Sequence, residues 1–236
     1  MTAKLLRDDL IWCLRRLPRT VFEALKANEG KLFLAGGYIR SCIGREPVND
    51  IDLLACNPEL AKAVALAMVG NDEKRLHSTD NAYTLKGTRP TVQIIHRWTF
   101  ATPLDAIASF DFTIASAAIW FADGGWRSVC DDRYYGDLAA KRLVYRCPMR
   151  EEEAGGSMLR VLKFYQRGYR IPLDSLGAIV ARLTGGVDWA QIHGTQVERE
   201  KQAAKVITGL FRDVDPNIDP THEAHLPSSD DEEILA

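Results

Sequence analysis

The segment LFLAGGYIRSCIGREPVNDIDLLA, Leu32 to Ala55, constrains the fold more than any other part of the chain. An apolar β-type run, Lys31 to Ala35, stops at Gly36-Gly37. Tyr38 to Ile43 then starts a helix closed by Gly44, and Asp50 to Ala55 forms a second strand, apolar between its carboxylates. In a strand, side chains at i and i+2 share a face. Asp50 and Asp52 therefore project together, with Ile51 on the other side. Carboxylates held this close repel unless a cation sits between them. Mg²⁺ takes hard oxygen ligands, commonly one or two carboxylates completed by substrate phosphates and water. The pair is a natural platform for Mg²⁺ or Mn²⁺, although a lone D-x-D also reads as a solvated strand end.

The glycines sharpen the reading. A strand that ends in Gly-Gly and opens a helix lets backbone N–H groups approach an anion closely. The helix N-terminus adds a favourable dipole. Arg40, on the first turns of that helix, can add a charge-assisted fork to phosphate oxygens. A phosphate cradle at Gly36, Gly37 and Arg40, followed by a metal platform at Asp50 and Asp52, has the order that nucleotidyl transfer requires.

The rest of the chain places this segment in a mixed architecture. Residues from about Asp8 to Ala27 read as one helix. Asn57-Pro58 caps another helix, running to about Val69. AYTLKG and TVQIIHRW read as strands joined by a turn around Gly87 to Pro90. Ala106 to Trp120 reads as mostly helical, WRSVCD as a short strand, and DRYYGDLAAKRLVY as a loop, short helix and edge strand. Ser157 to Arg167 is a helix with the apolar stripe Leu159, Leu162, Phe164 and Tyr165. The order α, then mixed α and β, then α predicts an α+β fold, a mixed sheet with helices packed on it and a small helical extension. The expected domains are a head at 1–150, a neck-like helical part at 151–212, and an acidic, disordered tail at 213–236.

Charge and cysteine content exclude some functions. The formal net charge is −2, but no Lys or Arg follows Arg212, whereas eight of the 32 acidic residues do, which leaves the body at +6. A mildly basic body can meet phosphates, without the strong signature of a dedicated nucleic-acid binder. No apolar run approaches the ~20 residues of a membrane span. The five cysteines are odd in number and widely spaced, which argues against a disulfide framework or zinc site and fits a reducing cytosol. Tyr134 and Tyr135 read as loop packing rather than base stacking. Lys141 and Arg142 read equally as phosphate contacts or exposed helix surface.

LAGGYIRSCIGREPVNDIDLL resembles the head-domain signature of the bacterial tRNA nucleotidyltransferase and poly(A) polymerase family, in the DNA polymerase beta superfamily. Further segments resemble that family in order. FDFTIASAAI is similar to its nucleotide-handling R-R-D-F-T-I-N-A motif, with Asp111 matched. DDRYYGDLAAKRLVYR is similar to its D-P-x-G-G-x-x-D-L segment, with Asp131 and Asp137 as anchors. LRVLKFYQRGYRI is similar to the helix that closes the head. The resemblance covers about residues 30 to 171. It implies metal binding by Asp50 and Asp52, triphosphate binding by Gly36, Gly37 and Arg40, and nucleotide contacts from Asp111, Arg160 and Lys163. It also implies an NTP substrate and an RNA 3′ end, by resemblance a tRNA end, as acceptor.

The departures limit that implication. Ser109 and Phe110 replace the paired arginines, Ala115 replaces the following Asn, and Ser41 stands where an acidic residue is common. The base-reading E-D-x-x-R motif keeps no aspartate in either register, whether its arginine falls at Arg160 or at Ser157, so CCA selectivity is not expected. Gln93 holds the central place of VQII, where a third carboxylate has an uncertain counterpart. About 40 residues of helical sequence follow Ile171, so whole-tRNA recognition of the usual kind is not expected. Two alternatives stay open. One is a compact enzyme that nucleotidylates a protein or small molecule, as toxin or antibiotic-modifying relatives do. The other is a non-catalytic nucleotide- or RNA-binding module. If the acidic tail screens a basic acceptor groove, deleting the residues after Asp213 strengthens RNA binding at low salt. Unchanged affinity in a titration would refute that role.

Overall fold

The structure is a computed structural model and describes residues 1–146 and 155–212. The chain divides into two compact units, Met1–Pro148 and Met149–Ala236. The acidic tail and Cys147 lie outside the described residues.

The first unit is built on an eight-stranded sheet. In chain order its elements are β1 (Thr2–Ala3), α1 (Arg7–Arg16), α2 (Arg19–Ala27), β2 (Leu32–Ala35), α3 (Gly37–Gly44), β3 (Asp50–Ala55) and α4 (Pro58–Met68). There follow β4 (Leu76–Ser78), β5 (Ala82–Leu85), β6 (Thr91–Ile95), α5 (Pro103–Ala108), β7 (Ala117–Ala122), β8 (Gly125–Asp131) and α6 (Tyr134–Ala139). The strand order is β1-β8-β7-β2-β3-β6-β5-β4. The β3–β6 pair is parallel and the other pairs are antiparallel, so the sheet is mixed as expected.

Alternation along the central strands separates two faces. Leu34, Ile51, Leu53, Val92 and Ile94 are buried on one face, which α2 and α4 cover. On the other face Phe33, Ala35, Leu54, Ala118 and Val129 pack with Ala106 and Ile107 of α5. Asp50 and Asp52 share this second face with Ala35, because Ala35 pairs with Asp52 across β2 and β3. Asn57 caps α4 as predicted: its side chain accepts from the Leu60 N–H at 2.7 Å, and Pro58 takes the first helical position.

Two of the expected helical spans need correction. The predicted helix from Asp8 to Ala27 is two helices, α1 and α2, because Leu17 is extended before Pro18. The segment from Ala106 to Trp120 is not mostly helical. It contains the end of α5, a 3₁₀ turn at Thr113–Ala115 and most of β7. The short apolar run AAIW is buried in the middle of the sheet, and periodicity cannot tell such a run from a helix. A signal was available next to it: Asp123-Gly124, both at positive φ, joins Ala122 to Gly125 in a two-residue hairpin.

The link from α5 to β7 is held by buried polar groups. Asp137 on α6 is fully buried and accepts from the Thr113 hydroxyl at 2.7 Å. Arg142 forks onto the same carboxylate, its Nε donating to Oδ1 at 2.8 Å and its Nη2 lying 2.7 Å away. Arg142 is therefore not idle surface, although its side chain is 46% exposed. It neutralises the anchor of this unit.

The second unit consists of α7 (Gly155–Gln166), α8 (Leu173–Gly185) and α9 (Gln196–Arg212), with a 3₁₀ turn at Trp189–Gln191 between the last two. The three helices contact one another. A Cβ at Gly155 would lie 2.6 Å from the Leu210 carbonyl oxygen, so α7 and α9 meet where only glycine fits. The buried stripe of α7 is Ser157, Val161 and Phe164, whereas Leu162 and Tyr165 are exposed, contrary to the predicted stripe.

Removing Asp137 leaves the buried Thr113 hydroxyl without its acceptor, while Arg142 is exposed enough to be solvated. Asp137→Ala is expected to lower unfolding stability by about 1–3 kcal/mol. A urea titration with an unchanged midpoint would show that Asp137 anchors nothing.

Candidate active site

The site is assembled where β2 ends and β3 begins. Gly36 has φ +76° and ψ −128°, backbone that favours glycine strongly, and it turns the chain from β2 into α3. Its N–H donates to the Ala117 carbonyl at 3.1 Å, so the turn is tied to β7. The N–H groups of Gly37, Tyr38 and Ile39 then form the first turn of α3, the end of a helix that attracts anions. The helix closes at Gly44 as expected, with Arg45 in the left-handed conformation after it.

Gly37 separates two opposite charges. A Cβ there would lie 3.7 Å from both Arg40 Nη2 and Asp50 Oδ1. The bare position therefore lets a guanidinium and a carboxylate approach the same point on the backbone. Arg40 is only 6% exposed, its Nε lies 3.7 Å from Glu46 Oε2, and its Nη2 donates to Ser41 Oγ at 3.3 Å. Ser41 thus faces the motif arginine directly. Glu46, which the sequence reading missed, sits close to the arginine, and no spacing rule would have found it.

Asp50 and Asp52 are both half-exposed on β3, and Ile51 between them is fully buried. Across the parallel β3–β6 pair, Asp50 lies opposite Thr91 and Asp52 opposite Gln93. The neighbour of the carboxylate pair on β6 is thus an amide. Among the described residues no group of three or more His, Cys, Asp or Glu could hold a metal ion. The donors still suit a hard divalent cation: two carboxylates on one accessible face, with room for phosphate oxygens and water as remaining ligands.

Phe110 forms the wall above the turn. Its Cε1 and Cζ lie 3.5 Å from where a Gly36 Cβ would be, and the ring also packs on the α5-side core. An apolar ring therefore stands over the glycine turn, at a position where the resemblance would place an arginine. Asp111, the next residue, is buried at 5% exposure, and its carbonyl accepts from the Arg146 N–H at 2.7 Å. Arg146 joins this segment to β8, with its Nε 3.3 Å from Asp131 Oδ2 and its Nη1 donating to Ser116 Oγ at 2.9 Å. Arg160 and Lys163 lie on α7 of the second unit, half-buried and exposed respectively.

Behind α3 the packing is apolar and sulfur-rich. Tyr38 donates to the Cys13 carbonyl at 2.9 Å, and burial pushes its phenol up. Cys42 is lowered to about 7, chiefly by the hydrogen bond from Cys13, with burial opposing. Cys13, Cys42, Cys56 and Cys130 are free thiols. Tyr134 is fully buried against Tyr135, with ring centroids 5.6 Å apart, and offers no face to a base. The Tyr135 hydroxyl donates to Asp9 at 2.8 Å and accepts from the Leu6 N–H at 2.9 Å. Both tyrosines are packing residues. No described helix is long and apolar enough to cross a membrane.

A glycine turn and helix N-terminus set against a same-face carboxylate pair, on a mixed sheet of this order, define a nucleotidyltransferase-type fold. Solved structures share it. A Thermotoga maritima CCA-adding enzyme complexed with tRNA aligns at TM-score 0.54 and 14% identity, covering 92% of this chain and 57% of the other. A CCA-adding enzyme with CTP aligns at 0.54 and 18%, covering 89% and 50%. A CCA-adding enzyme with ATP aligns at 0.55 and 14%, covering 92% and 57%. The chain thus spans about half the length of these solved proteins. No curated protein matches it. The model of the Gabija anti-defense 2 (Gad2) family matches residues 4–141, more than half of the chain, and the protein belongs to that family.

The backbone at Gly36 yields a test. Alanine in such a conformation stores about 1–3 kcal/mol of strain, whereas its Cβ would meet Phe110 at an ordinary 3.5 Å contact. Gly36→Ala is expected to lower the unfolding midpoint, and adding Phe110→Ala should not restore it. Full rescue by the second change would show that crowding, not backbone, makes glycine necessary.

Proposed function

We propose that the protein is a metal-dependent nucleotidyltransferase that moves NMP from an NTP to a hydroxyl acceptor and releases pyrophosphate. The observation that carries this reading is the register of β2 and β3, which sets the Gly36-Gly37 turn beside the Asp50–Asp52 pair. Asp50 and Asp52 would hold Mg²⁺ or Mn²⁺, which when bound supplies charge neutralisation at the phosphates and lowers the pKa of the attacking hydroxyl. The first N–H groups of α3 bind the anionic end of the triphosphate. Arg40 adds positive charge beneath them and offsets the like charges of the carboxylates.

In the transfer, the acceptor oxygen forms a bond to the α-phosphorus as the bond to the bridging oxygen of pyrophosphate breaks. The acceptor proton leaves to solvent or to a carboxylate. Arg160 and Lys163 are proposed as further nucleotide contacts. Asp111, which the resemblance also implies as a contact, is 5% exposed, and we assign it instead to holding the Phe110 wall in place through its segment.

An RNA 3′ end is the acceptor we favour. The family description gives the setting, opposition to the Gabija defence, so components of that system are the second place to look for an acceptor. A cytosolic location fits free thiols. The test incubates the protein with each α-labelled NTP, Mg²⁺ or Mn²⁺, and either total RNA or a lysate containing Gabija components. Wild-type protein is expected to label RNA, and Asp50→Ala/Asp52→Ala to lose at least about 100-fold of that rate. Label in a protein would move the acceptor to the second class. No label from any NTP, despite measurable NTP binding, would make the protein a binding module.

A further inference from the structure

We propose that the β6–β5–β4 half of the site face is the track on which a single-stranded nucleic acid acceptor lies, its phosphates held by Arg75 and Lys86. The inference rests on the nucleotidyl-transfer reading and names the acceptor class for that site.

Strand register places two parallel rows of side chains beside the carboxylates. Asp52 pairs with Gln93, Gln93 with Thr84, and Thr84 with His77, so one row runs Asp52, Gln93, Thr84, His77 from β3 to the sheet edge. Two residues away, Asp50 pairs with Thr91. The β5 and β6 register continues from the Val92–Leu85 pair to Thr91 and Lys86. The Lys86 N–H donates to the Arg75 carbonyl at 2.8 Å, which continues the β4–β5 pairing by one residue. The second row is therefore Asp50 and Thr91 on the strands, continued by Lys86 in the turn after β5 and by Arg75, the last residue of the 3₁₀ turn Glu73–Arg75 that precedes β4. Strands lie about 4.8 Å apart, which puts Lys86 and Arg75 roughly 10 and 15 Å from Asp50 along the row.

Both rows stay open to solvent. Asp50, Asp52, Thr91, Gln93 and Thr84 are half-exposed, and His77, Lys86 and Arg75 are exposed. On this face α5 packs over β2, β7 and β8, on the other side of the carboxylates. Lys86 Nζ donates one hydrogen bond, to the Lys74 carbonyl at 3.0 Å, and an ammonium has two more donors.

The chemistry of the rows selects the partner. The glycine turn and helix N-terminus lie on the β2 side of Asp52, so the donor triphosphate arrives from there. The acceptor hydroxyl must reach the same carboxylates from the remaining, β6 side. That side offers an amide, hydroxyls and an imidazole for sugar and base edges, then two cations for phosphates. A sugar–phosphate chain with its 3′ end at Asp50 and Asp52 fits this sequence of groups.

The experiment is fluorescence anisotropy with labelled 12-residue single-stranded RNA and DNA of one sequence, titrated with the full chain at several salt concentrations. Arg75→Glu/Lys86→Glu is expected to weaken binding at least 10-fold at low salt. The milder Arg75→Gln/Lys86→Gln should reduce the slope of log affinity against log salt by about 1.4, as two contacts on a single strand predict. Lys26→Glu/Lys62→Glu on α2 and α4 makes the same charge change on the opposite face and should leave affinity within about twofold of wild type. Preference for RNA over DNA would identify the acceptor source, and either strand bound through Arg75 and Lys86 supports the track. Equal losses from both Glu pairs, an unchanged slope, or no binding by the wild type overturns it. Because binding is read without turnover, nucleotide label found on a protein with no strand binding would sink the track while leaving nucleotidyl transfer standing. Strand binding without label transfer from any NTP would do the reverse.

Discussion

The antiparallel pairing of β2 with β3 is the constraint on which the site depends. It fixes Ala35 opposite Asp52, and the chain has only Gly36 in which to leave the sheet before α3 begins. A slip of one residue would turn both aspartates into the α2–α4 core and bring Ile51 to the site face. That alternative is blocked by Leu34, Ile51 and Leu53, which are fully buried. Hydrophobic burial on one face thus sets the position of charge on the other. The parallel β3–β6 pair extends the same register to Thr91 and Gln93, so the order of side chains across the open face follows from the core beneath it.

Placing two carboxylates side by side needs compensation, and the fold supplies it from within. Arg40 approaches Gly37 from α3 as Asp50 does from β3, and Glu46 takes the other flank of the guanidinium. At 6% exposure Arg40 is held by its surroundings rather than waving in solvent. Its charge is then a fixed part of the site, present before any ligand arrives, which is the form of electrostatic stabilisation that needs no reorganisation during reaction. The buried Asp137 and Thr113, closed by the exposed Arg142, do comparable work at a distance, holding the segment that carries Phe110 over Gly36.

Much of this could be read from residue spacing. The glycine turn, α3, the β3 carboxylates and the Asn57 cap come from local rules that the tertiary fold did not overrule. The β7 strand did not, because its apolar run has no alternation when buried on both faces of a sheet centre. The α7 stripe failed for a related reason. α8 and α9 both contact α7, where Val161 and Phe164 are the buried apolar residues, and nothing local says which of several apolar residues will face the neighbours. Partners such as Glu46 for Arg40 or Arg142 for Asp137 form through folding and carry no sequence signature of their own.

The replaced arginines are informative in this light. Where the resemblance would place a cation, Phe110 packs against the α5-side core and covers the glycine turn. Where a third acid has its uncertain counterpart, Gln93 lies opposite Asp52. The two changes offset each other: two positive groups fewer at Ser109 and Phe110, and no further negative group at Gln93. The site keeps its local charge balance while losing charge from each flank. A nucleotide held there depends more on the α3 N-terminus and on contact with an aromatic wall, and less on a ring of cations. Lys86 and Arg75 stand exposed toward the sheet edge, so in the proposed reaction a polyanionic acceptor would meet positive charge away from the α3 turn that takes the triphosphate.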